Sequence, residues 1–482
     1  MSLPAIAGDL GVSPNQGVWV ITSFGVCNAI AVPLTGWLAQ RFGQVRLFVA
    51  SILLFVISSW LCGLAPNMTT LIGMRAVQGF VAGPLIPLTQ ALLLSSYPRA
   101  MAGMAMALWS VTTMVAPVCG PPLGGWITEN FNWSWIFFIN IPIGMLAAFM
   151  VWGIYHKRES VTHKLPIDSI GLALLVLWVG ALQIMLDLGK DYDWFHSPLV
   201  VALGLTALIG LVFFIAWELT DDHPVIDLSL FTRRNFWSGT LATAVSYGVF
   251  FGNLVLLPLW LQQYMGYTAT EAGLVLAPVG FLTVIVTPIV GRFIGRVDPR
   301  PVATFGFLVM ALVLYMRSRF NTSADYWTIV IPTIVQGMAM SCFFIPLNLQ
   351  AMSGLPPERI PSAAGLSNFL RITAGSFGAS IATTLWESRA AQHHVQLAEA
   401  VNAASPAAAA AASGMSGAGL TPDQVVGQLN ALATQQAFML AANDIFFVSA
   451  VIMILLLPLI WITRRRRVAA VPGAVDAAAG AH

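Results

Sequence analysis

Apolar stretches and short polar breaks alternate along the whole chain. A helix crossing the hydrocarbon of a bilayer needs about 20 mostly apolar residues. Thirteen stretches meet that need: 17–39, 47–65, 70–94, 101–127, 135–155, 169–188, 198–218, 236–263, 270–294, 301–317, 326–350, 361–386 and 438–463. The expected fold class is an all-α polytopic membrane protein.

Composition agrees and narrows the function classes. The 482 residues are 57% hydrophobic and 9% charged, with mean hydropathy +0.80, whereas a soluble domain carries roughly 25% charged residues. The net charge of +2 is spread among loops and gives no nucleic-acid footprint. Cys27, Cys62, Cys119 and Cys342 fall inside apolar runs and read as small packing residues. The Gly189-Lys190 pair is followed by Asp191, so it does not complete a phosphate-cradling loop, and no such loop for ATP is visible. No catalytic constellation or metal-ligand cluster stands out, and the His393-His394 pair reads as a solvated loop. The expectation is a non-enzyme without a bound cofactor.

One stretch departs from plain apolar filling. In Ala116–Gly125 (APVCGPPLGG), Ala116, Gly120 and Gly124 recur every four residues and share one helix face. Pro117, Pro121 and Pro122 remove backbone donors from the same helix. A smooth, weakened helix can approach a neighbour and bend there, which a transporter uses; a packing seam uses small residues too.

Basic residues in short loops mark the cytoplasmic side. Arg41, Arg46, Arg99, Lys157, Arg158, Lys164, Arg233, Arg234, Arg292, Arg296, Arg300, Arg359 and the four arginines at 464–467 fall on one side, sixteen of the 22 basic residues. Lys190, Arg317, Arg319 and Arg389 fall on the other, with Arg317 and Arg319 against the trend. This makes the C-terminus cytoplasmic and puts residues 1–16 outside. That segment has neither the basic nor the apolar region of a signal peptide, and it reads as the outer end of a helix whose body lies upstream. A fourteen-span protein is therefore expected; the alternative is thirteen spans with an outside N-terminus.

Internal repeats support the count. Pro33–Arg41 (PLTGWLAQR) pairs with Pro288–Arg296 (PIVGRFIGR), Val77–Gly79 with Val335–Gly337, Ile86–Leu88 with Ile345–Leu347, and Ala116 and Gly120 with Ala374 and Gly378. The spacing is nearly constant, so the chain reads as a duplication. Residues 1–165 form one helical half, 166–220 two extra central spans, 221–463 the second half with an outer segment at 387–437, and 464–482 a tail. Two parallel halves facing each other are a route to alternating access. The outer segment holds an Ala/Gly/Ser-rich run, Ala403–Gly419, and then a polar helical stretch, Pro422–Gln436; its low complexity suggests partial disorder.

The residues then match a family. The sequence resembles the major facilitator superfamily, in particular its fourteen-span drug:proton antiporters of the EmrB type. Gly36–Gly43 (GWLAQRFG) resembles the family's loop motif, Arg75–Gly79 (RAVQG) its fourth-span motif, Gly120–Gly125 (GPPLGG) its fifth-span antiporter motif, and Trp133–Gly144 the stretch that follows. The longer passages Trp217–Asp222 and Ser353–Arg359 carry the EmrB likeness. The loop motif departs from the family at Gln40, where an acid is usual, and at Gln44-Val45. The resemblance implies a major facilitator fold in a bacterial inner membrane. It implies export of hydrophobic drug-like compounds against proton entry, with the proton gradient as energy source. It further implies a periplasmic adaptor protein and an outer-membrane channel as partners. The alternatives are export of an endogenous metabolite, siderophore or lipid, and a non-transporting membrane sensor or scaffold.

Arg75 and Arg371 lie deep in spans, where a charge must face the bundle interior or water. They are candidates for proton coupling or gating, against a structural role on exposed carbonyls. Asp444, two turns into the last span, reads either as a proton carrier or as a wet rim residue, and Asp187, which closes its span, reads either as a proton-coupling group or as an interface residue. Glu218, Asp221 and Asp222 read as a solvated boundary. Arg41 and Arg296 are expected to tie the halves together at equivalent helix ends, with Gly36, Gly43 and Gly291 giving the tight turns and close approach. Phe24, Asn28, Gln78, Trp109, Tyr247 and Asn253 are cavity candidates; each also suits plain packing.

Overall fold

The computed structural model describes residues 3–463 apart from 13–16, 18, 99–100, 159, 163–165, 167, 222–223, 295–296 and 401–404. Among the described residues the first half holds α1 (Leu3–Asp9), α2 (Trp19–Ala31), α3 (Thr35–Phe42), α4 (Gln44–Gly63), α5 (Met68–Ala82), α6 (Leu85–Ser96), α7 (Ala102–Asn130), α8 (Trp135–Phe138) and α9 (Asn140–Tyr155). The central pair is α10 (Ser169–Leu188) and α11 (Pro198–Thr220). The second half holds α12 (Arg234–Tyr264), α13 (Ala269–Leu276), α14 (Pro278–Phe293), α15 (Pro299–Arg317), α16 (Tyr326–Ala351), α17 (Ile360–Ala400), α18 (Pro406–Gly417), α19 (Pro422–Leu455) and α20 (Leu457–Ile462).

Ten of these helical stretches are long and apolar enough to cross a membrane, and an eleventh arises if α2 and α3, bent by 62°, count as one span. The 29-residue α7 and the 41-residue α17 are also of spanning length. All thirteen expected stretches are therefore helical. Burial sorts them: the most apolar window of α16 is 72% buried, that of α8–α9 only 11%. The first is core and the second faces lipid, with Ile143, Leu146 and Phe149 pointing outward.

The duplication is visible in contacts. A Cβ on Gly79 would stand 2.2 Å from the Phe24 carbonyl, and one on Gly337 would stand 2.2 Å from the Val279 carbonyl. Asn28 Nδ2 donates to the Gly79 carbonyl at 3.3 Å, and Thr283 Oγ1 donates to the Gly337 carbonyl at 3.3 Å. The helix starts match too. Asn67 caps α5 by accepting from the Thr70 amide, and Asp325 caps α16 by accepting from the Thr328 amide.

Several expectations change. The prolines do not break α7, which runs as one helix from Ala102 to Asn130. Each proline takes one backbone donor out of the helix. Within the outer segment, α17 runs on to Ala400 and Ser405 caps α18 in the Ala/Gly/Ser-rich run, while a Thr421–Gln424 capping box starts α19 where a polar helix is expected. Alanine-rich sequence favours helix once its ends are capped. His393 and His394 therefore sit on α17, not in a loop. Glu218 is not solvated: only 4% of it is exposed, and its Oε2 accepts from the Ile226 amide at 3.0 Å. Arg317 is not an outer loop residue: it ends α15 with 1% exposure.

Candidate functional site

The halves meet closely toward the arginine-rich end. A Cβ on Gly36 of α3 would stand 2.6 Å from Cα of Ser362 on α17, and one on Gly291 of α14 would stand 2.9 Å from the Gly103 carbonyl on α7. Gly36 and Gly291 are the paired positions of the repeat, so both contacts are one contact used twice. Gly43, with φ 90, makes the turn from α3 into α4. Arg41 stacks over Trp37 at 5.2 Å; Arg296 lies outside the described residues. Other arginines at this end bind helix ends: Arg234 Nε donates to the Ile462 carbonyl at 2.6 Å and Arg233 to the Gly354 carbonyl at 2.9 Å.

Above this contact lies a buried polar seam. Asn368 Nδ2 on α17 donates to Gln90 Oε1 on α6 at 2.9 Å, and Gln90 Nε2 donates to Asn348 Oδ1 on α16 at 3.4 Å. Gln90 belongs to the first half and Asn348 to the second, so the bond crosses between the halves. Arg371, 5% exposed, donates to Asn368 Oδ1 at 2.8 Å. Its guanidinium lies 4.7 Å from the Tyr247 ring, 5.5 Å from Phe344 and 5.9 Å from Trp109. Trp109 stacks on Phe344 at 5.9 Å, again across the halves. Arg371 Nε has no hydrogen-bond partner. Aromatic faces attract a guanidinium without neutralising it. The seam therefore presents one buried positive charge, amide groups and aromatic walls.

Sequence reasoning picked Arg371, Trp109 and Tyr247, and the fold brings them together. It missed Gln90, Asn348 and Asn368. Two signals were available: Gln90 and Asn348 stand just after the repeated Ile86–Leu88 and Ile345–Leu347, and Asn368 precedes Arg371 by three residues on one helix face.

A second cluster lies inside the first half. Arg75 donates from Nε to the Val20 carbonyl at 3.0 Å and from Nη1 to Gln78 Oε1 at 2.7 Å. It sits 4.2 Å over the Phe24 ring. Two cavity candidates, Phe24 and Gln78, thus touch Arg75, and Asn28 bonds the carbonyl of Gly79 next to Gln78. Asn253 stands apart, donating to Ser449 on α19 at 3.2 Å.

The carboxylates lie elsewhere. Asp444 accepts from His393 Nε2 at 2.9 Å and pairs with Arg389 at 3.3 Å, with 36% of its side chain exposed. Asp187 accepts from Gln183 Nε2 at 3.1 Å, and that amide also reaches Ser376 on α17. On α7 the side chains of Ala116, Pro121 and Gly125 lie outside what is described, and Gly124 is half-buried. A Cβ on Gly120 would meet nothing within 4 Å, so at that point the small-residue face is open.

A duplicated helical bundle whose halves touch through glycines at one end and share a buried polar seam matches the sequence profile of the Major Facilitator Superfamily over residues 1–379. The chain belongs to the Major Facilitator Superfamily. Within it, the chain is 50% identical over 465 residues to the multidrug export protein EmrB of Escherichia coli, spanning 96% of this chain and 91% of that one. It is 47% identical to the fatty acid resistance protein FarB of Neisseria gonorrhoeae, spanning 96% and 92%. In structure it is similar to the human organic anion transporter MFSD10 (TETRAN), with TM-score 0.59 and coverage of 95% and 88%. The 12% identity of that pair speaks for the fold alone.

Proposed function

We propose that this chain is an exporter of hydrophobic toxic compounds in a bacterial inner membrane, with its C-terminus in the cytoplasm. The proton gradient drives it, and alternating access carries the substrate out. The seam of Gln90, Asn348, Asn368 and Arg371 carries the reading. A buried cation walled by Trp109, Tyr247 and Phe344 gives bulky apolar compounds broad, non-directional contact. The close relatives named for multidrug export support it.

In this reading the arginine-rich end is cytoplasmic, and contact at Gly36–Ser362 and Gly291–Gly103 closes that side. The open face at Gly120 is where α7 would slide when the opposite side closes. Arg75 and Arg371 respond to proton entry as gating charges, and Asp187 and Asp444 are the carboxylates through which protons arrive. A periplasmic adaptor and an outer-membrane channel would complete the path, with the helical extension of α17–α19 available to meet the adaptor. Lipid-like substrates are a second reading, favoured by the fatty acid resistance relative.

The test is dye efflux from energised cells lacking their own pumps. A protonophore that spares ATP should abolish efflux; efflux that persists until ATP is exhausted overturns the proton drive.

A further inference from the structure

Both halves carry a glutamine at the same repeat position, Gln78 on α5 and Gln336 on α16. Each lies beside a glycine that touches the helix two spans back, Gly79 at the Phe24 carbonyl of α2 and Gly337 at the Val279 carbonyl of α14. In the first half Gln78 Oε1 accepts from Arg75 at 2.7 Å on its own helix and from Cys62 Sγ on α4 at 3.7 Å. In the second half Gln336 Oε1 accepts from Arg317 on α15 at 2.6 Å. Arg317 also donates to Thr333 Oγ1 at 3.0 Å. Thr333 precedes Gln336 by three residues, as Arg75 precedes Gln78. α15 is the repeat partner of α4, so Arg317 reaches its glutamine from the helix that supplies Cys62.

The three positions are thus filled as cysteine, arginine and glutamine in one half, and as arginine, threonine and glutamine in the other. The guanidinium has changed helix while its acceptor has stayed. The surroundings explain the move. Arg75 lies over the Phe24 ring at 4.2 Å and binds the Val20 carbonyl. The repeat partner of Phe24 is Val279, which offers no ring, and Arg317 instead sits enclosed at 1% exposure. An arginine so costly to bury, retained on the same acceptor by a different route, indicates a requirement for the charge at that point.

We propose that Arg317 is the second half's counterpart of Arg75, a positioning residue for the transport cycle. Each half needs one guanidinium on its glutamine, and either adjoining helix can supply it. The inference rests on the transport reading above.

The test moves the charge. Four variants are compared with the parent at matched amounts in the membrane: Arg317→Cys, Arg317→Cys with Thr333→Arg, Arg75→Thr, and Arg75→Thr with Cys62→Arg. Each single change is expected to lower the maximal rate of ethidium efflux about tenfold with little change in half-saturating concentration, and each double change to recover it to within about threefold. Recovery at the level of maximal rate is not expected of an arginine that only fills space. A single variant that transports like the parent, or a double no better than its single, overturns the proposal. Where a single variant fails to accumulate, the double decides: accumulation with efflux supports the proposal, and continued absence overturns it. Thermal midpoints of the five proteins in detergent separate the two readings. If the parent moves no dye, the transport reading fails. The pairing then stands on recovered midpoints in the doubles and falls if they do not recover.

Discussion

The two halves share their backbone contacts and differ in their charges. Gly79 against Phe24 repeats as Gly337 against Val279, and Gly36 against Ser362 repeats as Gly291 against α7. Only the second half places an arginine on the seam: Arg371 on α17, where the paired position on α7 is Thr113. Glycine fixes how near two helices come, so these positions preserve the scaffold through duplication. Side chains on the scaffold are free to diverge, and the seam gains a single cation from one half. A symmetric frame with an asymmetric charge gives the halves something to move about and a reason to move.

The largest expected effect breaks the frame. Gly79→Val or Gly337→Val drives a side chain into a backbone carbonyl that has no room to yield. Both variants should vanish from the membrane on immunoblot, equally, because the contact is the same. Next, Arg371→Leu should remove the seam's charge while sparing the frame. Efflux should fall by about tenfold or more at a normal membrane level, as expected when a group needed only for the moving step is lost. Gly120→Ala sharpens the scaffold argument. With nothing near its Cβ, stability should change by less than about 1 kcal/mol, since alanine favours helix. Efflux should nevertheless drop, because the face must close in another state. Unchanged efflux would mean that α7 never packs there.

The smallest effect separates the caps. Asn67→Ala should cost the first half about 1 kcal/mol of helix stability. Asp325 in the second half is a titrating cap. Hydrogen bonds from the Thr328 hydroxyl and amide hold its carboxyl below the usual range. Its stabilisation is present above the unfolded carboxylate range and fades as pH falls through the folded value, below about pH 4. Hydrogen exchange at the start of α16 should rise there, and exchange at the start of α5 should not.

The spans and the duplication were legible because apolar length and repeated Gly-Pro patterns survive in one dimension. Arg371, Trp109 and Tyr247 were legible as a buried charge and large aromatics. Gln90, Asn348 and Asn368 were not, because an amide inside an apolar run carries no motif of its own. Only their place just after the repeated Ile-Pro-Leu singles out two of them. Arg317 was misplaced because loop counting assigns an arginine at a span end to water, and a neighbouring glutamine overrides that. α18 was misread because alanine-rich composition looks like low complexity until its cap at Ser405 is noticed.

If the two halves move a substrate with protons as the only energy source, the purified chain alone should do so. The most direct measurement is flux in proteoliposomes holding the purified chain, a lipophilic dye and no ATP, with an imposed pH gradient of either sign. Uphill dye movement that reverses with the gradient and is lost in Arg371→Leu is the expected result. Dye movement indifferent to the gradient, with its rate unchanged in that variant, would contradict it.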